Sequence, residues 1–127
     1  MKIKGWIFGI VFLSFLVSQV AFGECIGIDN SSESWDDNEA LIRGYISNAD
    51  TSVCFTYTNP NGHVGFSTEI IIAKNITIQN LRMSGKGVII NSGEVSIEDS
   101  SIKDLGAGIG IKLNDGNLTL KKTNVKN

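Results

Sequence analysis

The sequence predicts an all-β solenoid of about three short coils, entered through one amphipathic helix. Three observations carry this. First, the segments NITIQNLRM from Asn75, EVSIEDSSI from Glu94 and NLTLKKTNV from Asn117 place apolar residues at the same three positions. Ile76, Val95 and Leu118 form one series; Ile78, Ile97 and Leu120 the next; Met83, Ile102 and Val125 the third. Each steps by 19 and then by 23 residues. Second, the first two segments are each followed by a glycine-flanked apolar stretch, GKGVII or GAGIGI, and then by a turn, NSGE or NDGN. Short strands recurring at such a period with Gly/Asn/Asp turns between them are the mark of stacked coils. Third, the residues ahead of the repeats carry an apolar stripe at helical spacing.

The chain opens MKIKGWIFGIVFLSFLVSQVAFG. Lys2 and Lys4 supply a positive n-region, Gly5 to Val17 an uncharged apolar run, and Ala21 and Gly23 are small residues flanking a cleavage point before Glu24. This is the layout of a secretory signal peptide, so residues 1–23 are set aside from the fold. The rival is an uncleaved anchor, because Gly5 to Gly23 is free of charge and roughly long enough to span a bilayer. Ser14, Ser18, Gln19 and the A-F-G ending favour cleavage. A lipid on Cys25 is rejected, since Glu24 stands where a small residue would be needed. The mature chain is expected to begin at Glu24, to be secreted, periplasmic or held at the cell surface, and to have no membrane partner once cleaved.

Cys25 and Cys54 are the two cysteines. An even count in an oxidising compartment predicts one disulfide, closing a loop of about 29 residues. The spacing fits neither C-x-x-C redox chemistry nor a zinc knuckle, and the chain has a single His. No metal or other cofactor is expected. Charge is uneven: Glu24 to Ala73 holds one basic residue, Arg43, against eight acids, while Lys74 to Asn127 holds eight basic residues against five acids. Nothing approaches the concentrated basic patch of a nucleic-acid binder, so no nucleic-acid partner is expected.

In SWDDNEALIRGYISNAD, Leu41, Ile42, Tyr45, Ile46 and Ala49 make the helical stripe. Ser34 with Asp37 resembles a capping arrangement, and Asp36, Asp37 and Glu39 suit the positive end of a helix. Gly44 weakens it. The end coil of a solenoid exposes apolar side chains and unpaired backbone, so Trp35 to Asn48 is read as the cap. The organisation expected is therefore signal peptide 1–23, an N-terminal segment with the capping helix at 24–52, and repeats at 53–127.

The pattern extends back one coil. Val53 and Phe55 lie 23 residues before Ile76 and Ile78, which puts Cys54 in the outward column of Thr77, Ser96 and Thr119. NPNGHVGFS is then a long loop, and TEIIIAK returns through Ile70 and Ile72 with Ile71 facing away. The longer second step is read as insertions of two residues at each of two turns, which preserve the inward and outward phase.

These x-ITI-x-N/D-x-x-I stretches resemble the right-handed parallel β-helix, the pectin-lyase-like superfamily, over roughly Val53 to Asn127. The resemblance implies three short strands per coil in three parallel sheets, with a short amphipathic helix over the N-terminal opening. It specifies a fold well and a function poorly. It also implies that polysaccharide lyase or hydrolase activity must be weighed. Inverting hydrolases need two carboxyl groups about 6.5–9.5 Å apart across a cleft. Glu98, Asp99 and Asp104 are the acid cluster of the repeat region, with Arg82 and Lys103 as the basic residues nearest to them in the pattern. Asp99, Asp104 and Arg82 are thus the weak catalytic candidates, and the longer catalytic signatures of the superfamily are missing. The plainer reading is an outward ladder of Gln79, Glu98 and Lys121, in which Glu98 and Lys121 pair modestly across strands.

His63, in NGHVG, is a loop histidine for which the sequence places no triad partner. Thr77, Ser96, Thr119 and Cys54 read as an ordinary exposed strand face that could also meet carbohydrate. The function expected is an exported non-enzymatic module, structural, adhesive or carbohydrate-binding, whose partner is a polysaccharide or cell-surface component. The alternative is a polysaccharide lyase or glycoside hydrolase, or its N-terminal fragment. At the far end, Leu118, Leu120 and Val125 are covered from one side only, and self-association through this C-terminal coil is expected.

Overall fold

A computed structural model describes residues 24–31, 35–103 and 110–126. The expected signal peptide at 1–23, the expected Ser34 cap, Asp104 and Ile109 lie outside those residues. Alternating inward and outward residues make short strands, and glycine or asparagine turns separate them. In chain order the elements are β1 (Ile26–Ile28), α1 (Trp35–Asn48), β2 (Ser52–Tyr57), β3 (Val64–Phe66), β4 (Ile70–Ala73), β5 (Ile76–Gln79) and β6 (Arg82–Gly85). The second half of the chain adds β7 (Val88–Ser92), β8 (Glu94–Glu98), β9 (Ser101–Lys103), β10 (Ile111–Leu113), β11 (Asn117–Lys121) and β12 (Asn124–Lys126). Every pairing is parallel. Three sheets result, β1-β2-β5-β8-β11, β4-β7-β10 and β3-β6-β9-β12, wound as a parallel β-solenoid of about three turns.

The expected apolar series stack in register. Ile76 pairs with Val95 and Val95 with Leu118; Ile78 pairs with Ile97 and Ile97 with Leu120. Met83, Ile102 and Val125 do the same in the third sheet. Ile76, Val95, Ile78, Ile97, Met83 and Ile102, with Val53, Phe55, Ile70, Ile72, Val88 and Ile90, fill the interior and Leu118 packs partly buried against them, while Ile71 points out at 63% exposure. Leu113, Leu120 and Val125, on the last coil, are exposed.

Two registers differ from the expected ones, each by two residues. Val53 pairs with Ile78 rather than Ile76, so Cys54 lies beside Gln79 and not in the Thr77 column. Val88 pairs with Ile111 and Ile90 with Leu113, so all four inserted residues fall between β9 and β10 and none at the following turn. A slip of two keeps every side chain on its own face, so alternation alone cannot detect it. The turns decide the second case. Gly93 (φ 93°) and Gly116 (φ 91°) stack on one another, and a Cβ on Gly116 would sit 2.3 Å from the Gly93 carbonyl oxygen. Asn114 Nδ2 donates to Asn91 Oδ1 at 2.8 Å beside them. Turns of equal length must therefore carry strands of equal phase.

β1 is not anticipated by the sequence, because three residues are too few to show periodicity. It pairs Ile26 with Phe55 and Ile28 with Tyr57, extending the first sheet outward. That register sets Cys25 opposite Cys54, and the two form a disulfide with their Cα atoms 4.5 Å apart. The helix α1 has the expected bounds and lies against β3 at the same end of the stack. It buries Ile42 and Ile46, with Ala49 partly covered, whereas Leu41 and Tyr45 of the expected stripe stay largely exposed. The buried face is narrower because Glu39 joins it, as the acceptor of Arg43 and Ser67. α1 has no basic residue in its last turn. Lys74 of the β4–β5 turn supplies one from outside, donating to the carbonyls of Ser47 at 2.9 Å and Ala49 at 2.5 Å. No helix among the described residues is long and apolar enough to cross a membrane. The disulfide fits an oxidising, extracellular setting.

Candidate functional site

The first and third sheets meet at a tight turn that repeats on each coil. Asn80, Asp99 and Lys122 occupy it with φ of 58°, 50° and 48°. Asn and Asp tolerate this left-handed conformation better than other non-glycine residues, because their short side chains bond locally. Asn80 also reaches the preceding coil, donating from Nδ2 to the Phe55 carbonyl at 2.7 Å. The next position carries Leu81, Ser100 or Thr123. Ser100 is buried, its Oγ accepting from the Leu81 amide at 2.9 Å and donating to the Glu98 carbonyl at 2.7 Å. Thr123 Oγ1 lies 2.9 Å from the Ile97 carbonyl one coil on. The turn is thus rigid, and it fixes where β6, β9 and β12 begin.

Outward from these strands runs the column Arg82, Ser101 and Asn124, one residue per coil and about 4.8 Å apart. His63 arrives from the β2–β3 loop one residue before the Val64–Met83 pair, at the level of Arg82. The imidazole leans over the column so that Nε2 lies 3.0 Å from Ser101 Oγ. Arg82 is drawn aside. Its guanidinium carbon sits 5.5 Å from the centre of the Tyr57 ring, and Nε donates to Asn80 Oδ1 at 3.3 Å. The Arg82 amide donates to the Tyr57 hydroxyl at 2.7 Å, and burial pushes that phenol up to about 12. Lys103 and Lys122 complete the rim of a shallow, polar groove of about 540 Å³, with Asp99 on its edge and Pro60 and Asn61 forming its loop wall.

The groove is electropositive. Arg82, Lys103 and Lys122 face one carboxylate, Asp99, among the described lining residues. None of the three cations makes an ion pair among the described residues. His63 is held below the ordinary histidine value, first by burial and then by the Lys103 and Arg82 charges, against a smaller opposing pull from the Asn61 carbonyl. The imidazole is therefore neutral near pH 7 and close to cations that resist its protonation.

The outward face of the first sheet is different in kind. Gln79 Nε2 donates to Glu98 Oε2 at 3.1 Å, Ser96 Oγ to Glu98 Oε1 at 3.2 Å, and Lys121 Nζ lies 3.5 Å from Glu98. The hydrogen bond from Gln79 does most to hold the Glu98 carboxyl below its usual range, with Ser96 and Lys121 adding to it. This is the expected ladder, and its polar atoms are engaged with one another. Two further depressions flank α1. One, of about 220 Å³, lies beside the disulfide and Tyr45; the other, of about 580 Å³, lies beside Ile71. Neither gathers a comparable set of charged groups.

Of the sequence candidates, Asp99 and Arg82 come together in the groove with Lys103, while Asp104 lies outside the described residues. Asp99 is first of all a turn residue. Glu98, its neighbour in sequence, points from the other sheet into the Gln79–Lys121 ladder, so the acid cluster does not converge on one cleft. Among the described residues no three His, Cys, Asp or Glu side chains are grouped to hold a metal. Two members of the groove escape the sequence reading. His63 has no partner in the pattern, yet it meets Ser101, 38 residues away; the clue is that its long loop must return onto the third sheet. Lys122 reads from the sequence only as an edge charge. No protein-family model, no curated protein and no solved structure matches the chain.

Proposed function

We propose that the chain is an exported, non-enzymatic β-helix module of the pectin-lyase-like kind, which binds carbohydrate or another cell-surface component through the groove on its third sheet. The observation that carries this reading is the groove itself: Arg82, Lys103, Lys122, His63 and Ser101 present donors from one rigid face with a single carboxylate among them. Saccharide recognition needs such fixed polar groups, and rows spaced by the strand repeat suit an extended chain. General acid–base cleavage of a glycosidic bond would need a second positioned carboxyl group, and Glu98 is committed to the opposite ladder. The test is binding of a panel of neutral and acidic polysaccharides by affinity electrophoresis. Retardation by at least one of them, lost in Arg82→Ala plus Lys103→Ala, is expected. Equal retardation of wild type and variant, each relative to its own mobility without polymer, on every polymer would overturn the reading.

One observation favours a second reading, a polysaccharide lyase or hydrolase: Asp99 and Arg82 do share the groove. Release of products from pectic or alginate-type polymers, abolished by Asp99→Ala, would replace the binding function with catalysis.

A further inference from the structure

The groove's cations have a feature that the binding of neutral sugar does not use. Arg82 is held in place, stacked on Tyr57 and tethered through Nε to Asn80, and its side chain lines the groove. Lys103 stands two residues beyond Ser101 on β9, and Lys122 lies on the turn before β12. His63 and Ser101 join across the floor. Three cations gathered around a single carboxylate among the described residues repel one another, and an oxyanion placed among them relieves that repulsion while accepting from the guanidinium and the hydroxyl. Resting on the groove as the ligand site, we propose that it holds an oxyanion, the sulfate, phosphate monoester or carboxylate group of a larger ligand, and that protonation of His63 tightens this hold.

The gate rests on the groups around the imidazole. Burial, then Lys103 on β9 and Arg82 on β6, oppose a charge on it and the Asn61 backbone favours one, while Lys122 at the third turn and Asp99 at the second also line the groove. A bound anion reverses that balance. His63 Nε2 lies 3.0 Å from Ser101 Oγ; once the ring is protonated both of its nitrogens are donors, and the added positive charge is available to the anion. By linkage, whatever factor protonation adds to anion affinity, the anion must return as a rise in the His63 pKa. One added unit charge a few ångströms from a dianion in a partly exposed groove corresponds to about a tenfold change in affinity, and hence to a rise of about one pKa unit.

Sodium sulfate is the probe, since it stays a dianion across the range and isolates titration of the protein. Calorimetric titration at about pH 5 and about pH 7.5, at fixed ionic strength in chloride, should show sulfate binding about tenfold tighter at the lower pH. The His63 ring resonances should report a pKa raised by about one unit in saturating sulfate. His63→Gln should keep sulfate binding but lose its pH dependence, and Arg82→Gln should weaken binding at both values. Methyl phosphate and a uronate monosaccharide, run alongside, distinguish which anion the site prefers. Equal sulfate affinity at the two pH values, an unmoved His63 pKa, or pH dependence retained in His63→Gln would each overturn the proposal. If polysaccharides are still retarded while sulfate shows no pH dependence, the binding reading stands and the oxyanion gate falls. If sulfate is gated but no polymer binds, the carbohydrate reading falls instead.

Discussion

Glu39 is the carboxylate most deeply placed in the described structure, and replacing it by Gln tests what holds the capping helix down. Its side chain is 12% exposed, and Arg43, 30% exposed, pairs with it at 2.9 Å. Oε1 accepts from Arg43 Nε at 3.2 Å and from the Ser67 amide and hydroxyl at 3.1 Å each. Arg43 in turn lies over Phe66 and donates to the Thr68 and Glu69 carbonyls, so one ion pair ties α1 to the β3–β4 loop. Gln keeps the shape and one acceptor but removes the charge. Charge-assisted bonds exceed neutral ones by about 1 kcal/mol each, and two come from Arg43; with partial screening the loss is about 1.5 kcal/mol. For a domain of this size that is a fall in Tm of about 8 °C. The pH dependence has a definite sign. Burial raises the Glu39 pKa, but the Arg43 and Ser67 hydrogen bonds outweigh it and hold the carboxyl below its usual value of 4.5. The stabilisation is therefore complete above the unfolded-state value and is lost as pH falls through the lower folded-state value. Urea unfolding monitored by circular dichroism should give a gap between wild type and Glu39→Gln near pH 7 that is narrower at about pH 3. A gap of the same size at both pH values would show that Gln acts through shape, and that the ion pair contributes nothing.

The disulfide closes a separation of 29 residues, worth about 3–4 kcal/mol in the chain-entropy model, so Cys54→Ser should lose about that much, and alkylation without reductant should label neither thiol in the exported protein. Two labelled cysteines would refute the bridge. Leu113, Leu120 and Val125 are exposed on the three outermost strands β10, β11 and β12, and the protein should self-associate at micromolar concentration, less so as Leu120→Lys. Light scattering that shows a monomer throughout, unaltered by the substitution, would mean that the edge is inert.

How far the sequence leads depends on what each residue repeats. The apolar triplets at Ile76, Val95 and Leu118 are legible because each coil imposes the same inward position, and burial punishes any departure by one residue. Departures by two go unpunished, and both register errors, at Val53 and at Ile111, are of that kind. The helix is legible in its bounds but not in its face. Glu39 reads as a solvated acid until Arg43 and Ser67 are seen around it. β1 is invisible, since its three residues are defined by pairing with β2 alone. At the groove, Arg82 and Asp99 are legible as outliers in the repeat. His63 is not, because its place depends on how a non-repeating loop lands.

That last difference bears on where function can reside in such a fold. A solenoid puts equivalent residues about 4.8 Å apart on successive coils, so any polar column tends to satisfy itself. The first sheet does this, with Gln79, Ser96 and Lys121 all directing their polar atoms at Glu98. Such a face is stable and has little left for a ligand. The third sheet breaks the repeat at each level: Arg82, Ser101 and Asn124 succeed one another in its column, and His63 enters from outside it. No side-chain hydrogen bond joins these three residues to one another. Arg82 turns to an aromatic ring instead, and Lys103 and Lys122 have no acidic partner among the described residues. Polar groups remain unengaged where the repeat fails to satisfy them, and in this chain that place is the groove beneath His63, where the proposed ligand is placed.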